Sequence, residues 1–460
     1  MTENMIESGI IGLDKILGGG FESSSLILIA GTAGVGKSTF VLQALSNAAK
    51  KGAKALYLPI TSNTNKDFAH FTSHYSFHND QVIIHPIDRS TAEKDPLSVL
   101  IDIGNIIASS KANIIAIDPI TPLGIGFPSH EQRRFIYTFD SMTTEWNCLV
   151  LVTGELLHSE LHKAPITHVV DGIIQLSSKT NEFTDVRHLE VLKLSGSSNE
   201  RMTGRHQYNI NSDGIRVFPR LVISDSDNSD NFGSIDVVHR ASTGIVLLDD
   251  MIMGGIPKKS SILLSGYSGT GKTTIGLQFI HAGLKDKEAG VIVSFYDTPA
   301  QLLQKAHYLG LNLDEYIKNG MLKIIHILPI DACPSEHSIL ISQIVEEIGA
   351  KRLLFDGISD LEVIIPETIA LREHIRLLTR YLKHVGVTSI FTIELSILAE
   401  NATITDSKIA FVMDGWIQLS HNKTDLRINK TITILKLSAS GYDSNVREFE
   451  ITKDGIRILP

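Results

Sequence analysis

Short apolar runs alternate with stretches of helical apolar spacing along the whole chain. Runs such as 26–29 and 262–264 have the length of buried strands. Between such runs, apolar residues recur every three or four positions, as in 371–382. This alternation predicts an α/β fold in which a mostly parallel sheet carries helices on both faces. The hairpin-like stretches near 173–218 and 416–458 predict antiparallel strands at one edge.

Two glycine-rich loops, residues 31–38 and 266–273, directly follow the apolar runs and precede helical patterns. Both match G-x-x-x-x-G-K-[ST], in which backbone N–H groups surround a triphosphate, the lysine reaches the outer phosphates and the hydroxyl binds Mg²⁺. The helix that follows adds the positive end of its dipole to this anion site. The residues predicted to bind nucleotide are Gly31, Thr32, Ala33, Gly34, Val35, Gly36, Lys37, Ser38 and Thr39, and Gly266, Tyr267, Ser268, Gly269, Thr270, Gly271, Lys272, Thr273 and Thr274.

The chain is a tandem repeat that extends well past these loops. Strands ending in acids recur at 114–118 and 353–356, and the strand ends 152–155 and 391–394 also correspond. Related segments precede each loop, and related phrases close each half. We therefore predict two P-loop NTPase domains, residues 1–221 and 235–460. The polar, acidic stretch 222–234 between them is predicted to be a linker.

Composition narrows the class of protein. The 460 residues have a formal net charge of −9, which argues against a broad nucleic-acid-binding face. The two cysteines show neither disulfide nor zinc-site spacing, and no apolar stretch has the length of a signal or membrane span. We therefore expect a cytoplasmic protein with no membrane association.

Four acidic residues after the predicted strands are candidates for site chemistry. Asp118 and Asp356 end strands expected beside the phosphate loops, where a carboxylate can hold Mg²⁺ together with Ser38 and Thr273. A cap of the following turn is the alternative role. Glu155 and Glu394 end the next strand and are candidates for orienting a water or contacting the γ-phosphate. A basic stripe, residues Arg372, Arg376, Arg380 and Lys383, is more typical of a solvated face or a salt-bridged subunit contact than of a surface that binds a phosphate backbone.

In the order and content of these segments, the sequence resembles the KaiC family of tandem RecA-like ATPases over nearly its whole length. The resemblance implies two RecA-like domains, ATP and Mg²⁺ as ligands, and a homo-oligomeric ring. It further implies a hexamer with ATP held between adjacent protomers, and regulatory protein partners. Family members include clock proteins with ATPase, autokinase and autophosphatase activity.

The chain departs from the family pattern where the family carries two adjacent glutamates. Thr61 and Ser62 stand there in the first half, and Asp297 is the one acid in the second half. Loss of a general base costs roughly 10²- to 10⁴-fold in rate, so we expect slow hydrolysis, confined to the second half and dependent on Asp297.

A second departure concerns residues that the family uses across subunits. The late strand keeps Lys193 and Lys436, but Ser195 and Ser438 replace the arginines of the family's Lys-x-Arg phrase. A lysine does not reproduce the forked geometry of an arginine at a transferring phosphoryl group. The family's Ser-Thr phosphate-acceptor pair corresponds to Ala402 and Thr403, which leaves Thr403 as the candidate acceptor.

These features predict an ATP-binding, KaiC-like protein with weak ATPase activity and Thr403 as a site of autophosphorylation. The alternative from another class is a non-catalytic, ATP-gated scaffold that changes partners. A third alternative is a recombinase-like, DNA-dependent ATPase.

Overall fold

The computed structural model describes residues 5–61, 73–89, 95–123, 129–180, 185–195, 202–221, 235–328, 333–395, 409–424 and 427–459. The chain divides into two compact units, Met1–Arg220 and Leu221–Pro460. The expected acidic linker, 222–234, lies outside the described residues.

The first unit alternates strands and helices from its N-terminus. Its strands are β1 (Met5–Ile6), β2 (Phe21–Glu22), β3 (Leu26–Ala30), β4 (Ala55–Thr61), β5 (Ile83–Ile84), β6 (Ile87–Asp88), β7 (Ile114–Asp118), β8 (Leu149–Gly154), β9 (Gly172–Thr180), β10 (Asp185–Leu194), β11 (Arg205–Asn211) and β12 (Gly214–Phe218). Its helices are α1 (Leu13–Leu17), α2 (Lys37–Lys50), α3 (Pro96–Ser110), α4 (Ser129–Trp146), α5 (His158–Leu161) and α6 (Ile166–Val169).

The main sheet of this unit has the order β12-β11-β10-β9-β3-β8-β7-β4-β5, with β6 also paired to β4. Strands β9, β3, β8, β7, β4 and β5 are parallel to their neighbours in this order, whereas β9 to β12 form antiparallel pairs. The predicted parallel sheet with antiparallel additions at one edge is confirmed.

The second unit repeats this plan. Its strands are β13 (Asp236–Ala241), β14 (Ile256–Lys258), β15 (Ser261–Gly266), β16 (Gly290–Ser294), β17 (Leu322–His326), β18 (Arg352–Asp356), β19 (Thr388–Glu394), β20 (Gly415–Thr424), β21 (Arg427–Leu437), β22 (Arg447–Thr452) and β23 (Gly455–Ile458). Its helices are α7 (Val246–Met251), α8 (Lys272–Lys285), α9 (Pro299–Tyr308), α10 (Asp314–Lys318), α11 (Pro334–Glu347), α12 (Ile358–Ile364), α13 (Thr368–His384) and a 3₁₀ helix (Ala410–Val412).

The order of the second sheet is β17-β16-β18-β19-β15-β20-β21-β22-β23. Its phosphate-loop strand β15 lies between β19 and β20, as β3 lies between β8 and β9 in the first unit. Since both sheets place this strand centrally and add antiparallel strands at one edge, the two tandem α/β domains predicted from the sequence are confirmed.

Each sheet separates two buried apolar clusters. In the first unit, Ile27 and Ile29 face one cluster and Leu28 faces the other, as the period-two alternation of a strand requires. In the second unit, Leu263 faces a cluster that also contains the apolar side of α13, whose Leu371 and Leu382 are buried. Burial on both faces explains why the central strands are continuous apolar runs.

Two repeated phrases of the sequence have structural roles. Asp171 and Asp414 each accept a hydrogen bond from the first residue of the phosphate-loop strand, the amide of Leu26 at 2.9 Å and of Ser261 at 2.8 Å. They fix the parallel register of neighbouring strands at the start of each P-loop strand.

The closing phrases dock against the helices that follow the phosphate loops. Gln43 accepts a hydrogen bond from the amide of Ile215 at 2.7 Å, and Gln278 accepts one from Ile456 at 2.9 Å. Gly214 and Gly455, which precede the two isoleucines, both have φ of 99°. A Cβ added to either glycine would lie 2.4 Å from the side chain of the glutamine. Glycine is therefore required there both by backbone conformation and by space.

Across the residues that the structure describes, we find no helix with the length and apolar character needed to traverse a bilayer.

A pair of histidines lies between α11 and α13 in the second unit. His337 is 7% exposed, and a 3.3 Å contact joins His374 Nε2 to Ser338 Oγ. Burial lowers the pKa of His337 to about 4, and burial together with the neighbouring His337 lowers the pKa of His374 to about 4. Both imidazoles are therefore neutral near pH 7.

We predict that acidification from pH 7 to pH 5 destabilises the second unit. The pKa values of both histidines in the folded protein lie below the value near 6.5 of an unfolded chain. The unfolded chain therefore binds more protons between pH 7 and pH 5, and the free energy of unfolding decreases as the pH is lowered. The expected loss is on the order of 2 kcal/mol per histidine. Urea unfolding followed by Trp416 fluorescence in a Trp146→Phe background measures it. The His337→Leu variant should lose less stability on acidification than its parent, and an unchanged pH dependence would contradict the assignment.

Candidate functional site

Both glycine-rich loops lie where the central strand of each sheet ends and a helix begins. Gly36 and Gly271 directly precede α2 and α8 with φ of 96° and 110°. An L-residue with a side chain rarely adopts this conformation, so the glycine of the motif is required for the chain to turn into the helix. The turn leaves the first N–H groups of a 14-residue helix directed at the loop.

The two phosphate-loop lysines occupy equivalent positions. Lys37 Nζ donates to the carbonyls of Gly31 at 2.9 Å and Thr32 at 2.7 Å. Lys272 Nζ donates to the carbonyls of Gly266 at 2.8 Å and Tyr267 at 2.9 Å. Burial lowers the pKa of both lysines, although a nearby glutamate and aspartate act in the opposite direction in each half. Each ammonium group is thus held at its loop, close to the carboxylates predicted to serve the site.

In the second half, Asp356 joins two hydroxyl groups at the end of β18. Thr273 Oγ1 donates to Asp356 Oδ2 at 2.8 Å, and Thr392 Oγ1 donates to Asp356 Oδ1 at 2.6 Å. Burial raises the pKa of Asp356 against the lowering effect of these two hydrogen bonds. The loop hydroxyl and the strand carboxylate predicted to bind Mg²⁺ are therefore in direct contact.

Asp297 lies just after β16, which ends at Ser294. Its backbone amide donates to Ser294 Oγ at 3.0 Å, and its side chain is 8% exposed. Lys305 on α9 reaches back from two helical turns away and pairs with Asp297 Oδ2 at 2.6 Å. The single acid of this segment is consequently a buried carboxylate held by an ion pair.

These groups line one cavity of about 660 Å³. Its walls include the loop residues Ser268, Gly269, Gly271, Lys272, Thr273 and Thr274, the acids Asp297, Asp356, Asp360 and Glu394, and Lys305, Tyr296 and Tyr308. Glu394 is exposed at the end of β19, and its amide donates to Ser359 Oγ at 2.9 Å. The volume suits a nucleotide, and the polar groups converge on the loop.

The first half has a different arrangement around Asp118. Thr153 donates to one oxygen of its carboxylate, and Tyr57 Oη donates to the other at 2.5 Å. A side-chain hydrogen bond from Ser38 also acts on the Tyr57 hydroxyl and opposes the rise of its pKa caused by burial. A phenol hydroxyl therefore stands between Ser38 and Asp118, where the second half has direct contact between Thr273 and Asp356.

Other predicted site residues of the first half lie at the ends of strands β4 and β8. Thr61 is the last residue of β4, and Ser62 lies outside the described residues. Glu155 follows β8 and is exposed, and its backbone amide donates to Thr121 Oγ1 at 3.0 Å. Glu155 matches Glu394 in position. Each glutamate partly offsets the lowering of the lysine pKa that burial causes, Glu155 at Lys37 and Glu394 at Lys272.

The lysines predicted to act across subunits lie on β10 and β21. Lys193 is half-buried beside a bulge in the pairing of β10 with β9. Lys436 Nζ donates within its own chain to the carbonyls of Met413 at 2.7 Å and Ala410 at 3.3 Å. A role of Lys436 in a neighbouring subunit would require those bonds to break.

The basic stripe on α13 is in part paired with acids. Arg376 contacts Glu373 at 2.6 Å and Lys383 contacts Asp414 at 2.6 Å. These pairs favour a solvated or structural face over a phosphate-binding surface. Thr403, the candidate phosphate acceptor, lies outside the described residues.

Both halves offer a hydroxyl and a carboxylate to Mg²⁺, but they fit it unequally. The described residues contain no group of three or more His, Cys, Asp or Glu side chains that could hold a metal ion, so a cation would take further ligands from phosphate and water. Thr273 and Asp356 present that pair in contact. Ser38 and Asp118 do not.

Four side chains of the two sites were not predicted from the sequence. Thr153 and Thr392 occupy the same place in the two repeats, and that correspondence was a usable signal. Lys305 and Tyr57 gave none, because their partners are fixed by helix direction and strand register.

Comparison with known proteins agrees with this geometry. The family model for the ATPase KaiC matches residues 6–222 and 241–460. The circadian clock oscillator protein KaiC of Parathermosynechococcus lividus is 27% identical over 472 residues, which cover 98% of this chain and 85% of the relative. That of Synechococcus elongatus is 27% identical over 468 residues, covering 97% and 87%. The circadian clock protein KaiC3 of Synechocystis is 26% identical over 471 residues, covering 98% and 91%. The chain therefore belongs to the KaiC family of ATPases.

Proposed function

We propose that both halves bind ATP with Mg²⁺ and that the second half alone hydrolyses it, slowly. The observation that carries this proposal is the 660 Å³ cavity, which gathers the phosphate loop, Asp356, Glu394 and the Asp297–Lys305 pair. ATP in the first half then acts mainly as a ligand that stabilises the assembly.

Nucleotide binding follows from the groups around each loop. The backbone N–H groups at the start of α8 donate to the phosphates, and Lys272 Nζ exchanges its carbonyl partners for phosphate oxygens. Thr273 and Asp356 would hold Mg²⁺, which when bound neutralises charge on the β- and γ-phosphates.

Slow turnover follows from the state of Asp297. Its carboxylate lies in the cavity, within the same group of interacting charges as Asp356, and can orient a nucleophile directly or through a water. Lys305 occupies one oxygen of this carboxylate at 2.6 Å, so a nucleophile has to compete with the ion pair for Asp297. The same ion pair is what favours the second candidate function, a non-catalytic ATP-gated scaffold.

The Asp297→Asn variant tests which of the two functions applies. We expect ATP turnover to fall at least about ten-fold, since a general base contributes roughly 10²-fold or more, while nucleotide binding stays near wild type. Phosphate release and bound nucleotide are measured on the same full-length samples. Phosphorylation of Thr403, if present in the parent, should fall with turnover.

Two further variants of the same cavity complete the test. Asp360→Asn removes the charge of another carboxylate that lines it and is the matched control, which should retain turnover within about three-fold. Glu394→Gln removes the other candidate base and shows which of the two acids turnover depends on. Loss with Glu394→Gln and retention with Asp297→Asn would transfer the role to Glu394. An undetectable turnover in the parent protein would leave the scaffold as the function.

We further propose a homo-oligomeric ring, a hexamer, with nucleotide between protomers and regulatory proteins as partners. The support is family membership together with two nucleotide sites per chain. Native mass spectrometry with and without ATP measures the assembly. The ion pairs along α13 support partners other than nucleic acid.

A further inference from the structure

Tyr57 is the one tyrosine that reaches a predicted metal-binding carboxylate within the described residues. It lies on β4, two residues before the position that pairs with Asp118 on β7. Strand side chains two residues apart share a face, so Tyr57 and Asp118 approach each other on the face of the sheet that carries α2. Tyr57 is 1% exposed and its hydroxyl donates to Asp118 Oδ2 at 2.5 Å.

No hydroxyl stands at the equivalent position of β16 in the second half. Ser294 pairs with Asp356, and two residues earlier stands Ile292, which is fully buried and has no polar atom in its side chain. Thr273 is thereby left to donate straight to Asp356 at 2.8 Å. The strand register thus makes Tyr57 and Ile292 equivalent. A phenol hydroxyl at this position contacts Asp118 in the first half, whereas Ile292 leaves Asp356 in direct contact with Thr273 in the second half.

The phenol lengthens the path from the loop hydroxyl to the carboxylate. Ser38 bonds to the Tyr57 hydroxyl and Tyr57 bonds to Asp118, so two hydrogen bonds link the loop hydroxyl to the carboxylate where a single one links Thr273 to Asp356. The second carboxylate oxygen is taken by Thr153. Ser38 would therefore offer its hydroxyl to a cation without a carboxylate in direct contact with it, whereas Thr273 would offer its hydroxyl together with Asp356.

We propose that Tyr57 withdraws Asp118 from the metal site, so that the first half binds its nucleotide with less dependence on Mg²⁺ than the second half does. The inference rests on the proposed binding of nucleotide at both loops. It assigns Tyr57 as a positioning residue that sets the divalent-cation requirement of one site. When Mg²⁺ is scarce, the first half would then bind metal-free nucleotide more readily than the second half does.

The test uses full-length variants that each keep one site. Lys272→Ala leaves the first site and Lys37→Ala leaves the second. The dissociation constant of a fluorescent ATP analogue is measured with excess Mg²⁺ and with EDTA. The constant in EDTA divided by the constant in Mg²⁺ gives the Mg²⁺ dependence of the site. We expect this ratio to be about ten-fold smaller for the first site, since loss of a partner that supports a metal site typically costs about 10- to 100-fold in metal affinity.

The deciding variant is Tyr57→Phe in the Lys272→Ala background. It removes one oxygen atom and should raise the ratio about ten-fold, toward that of the second site. Tyr208→Phe is the matched control: Tyr208 is also buried and its hydroxyl donates to the carbonyl of Val35 in the same loop at 2.6 Å, away from Asp118. It should leave the ratio unchanged.

Binding of Mn²⁺ to the nucleotide-loaded variants, followed by electron paramagnetic resonance, gives a second readout. Tyr57→Phe should tighten Mn²⁺ binding at the first site. Equal Mg²⁺ dependence of the two sites, or no effect of Tyr57→Phe on either readout, would overturn the proposal. Absence of analogue binding at both sites even with Mg²⁺ would instead overturn the proposed function.

Discussion

The Lys272→Ala variant is expected to lose the nucleotide of the second half and to keep that of the first, and Lys37→Ala is expected to do the reverse. In the proposed sites each lysine would place its ammonium group at the outer phosphates, and its partial burial at the loop would strengthen that attraction. Each variant should therefore carry about half of the nucleotide of the parent protein.

Bound nucleotide is released by denaturation and quantified per protomer. Lys50→Ala and Lys285→Ala are matched controls, because both lysines are exposed near the far ends of the same two helices, α2 and α8. They should keep full occupancy. Full occupancy in Lys37→Ala or Lys272→Ala would refute binding at that loop. In the proposed assembly, Lys37→Ala should also loosen the ring more than it lowers turnover per assembled ring.

The second large effect is expected at Arg352, the first residue of β18. Its side chain is 1% exposed, and its guanidinium contacts Glu288 at 2.7 Å and the carbonyls of Ser242 at 2.5 Å and Phe279 at 2.8 Å. The guanidinium carbon also lies 4.8 Å from the centre of the Phe279 ring. Burial raises the pKa of Glu288, but hydrogen bonds from Lys258 and Arg352 outweigh it and hold that pKa below its usual value.

Arg352→Ala should destabilise the second unit by about 3–5 kcal/mol, because it removes the guanidinium that donates to two carbonyls and leaves the Glu288 carboxylate with Lys258 alone. Urea unfolding followed by Trp416 fluorescence in a Trp146→Phe background isolates this unit, since these are the two tryptophans of the chain. A loss below about 1 kcal/mol would show that the buried ion pair contributes little.

A double-mutant cycle sharpens this test. The Cβ of an alanine at Gly283 would lie 2.2 Å from Arg352 Cδ. At the corresponding positions, the first unit has Ala48 and Ile114, both buried in one apolar cluster. Gly283→Ala should therefore destabilise the parent protein and be tolerated in the Arg352→Ile background. Additive effects would mean that the two positions do not share this space.

Local patterns were enough to predict much of the fold and the location of the site. The phosphate loops, the strands that end in Asp118 and Asp356 and the antiparallel edge are each encoded in one contiguous stretch. Glycine conformation, apolar alternation and the known chemistry of the loop act within a few residues, and the repeat supplies each signal twice.

The tertiary structure decided how the two sites differ. Tyr57 and Asp118 are 61 residues apart in sequence, and strand register brings them together. Lys305 meets Asp297 only because α9 runs back along the cavity, and Lys436 bonds to Met413 within its own chain.

The physical reason is that these contacts depend on register, helix direction and burial, which no short window of sequence contains. A tyrosine within an apolar strand satisfies the same alternation as the isoleucine at the equivalent position. The residues alone show two loops with the phosphate-binding pattern and their places in the chain. Only the fold decided which hydroxyl each aspartate meets and which acid is held in an ion pair.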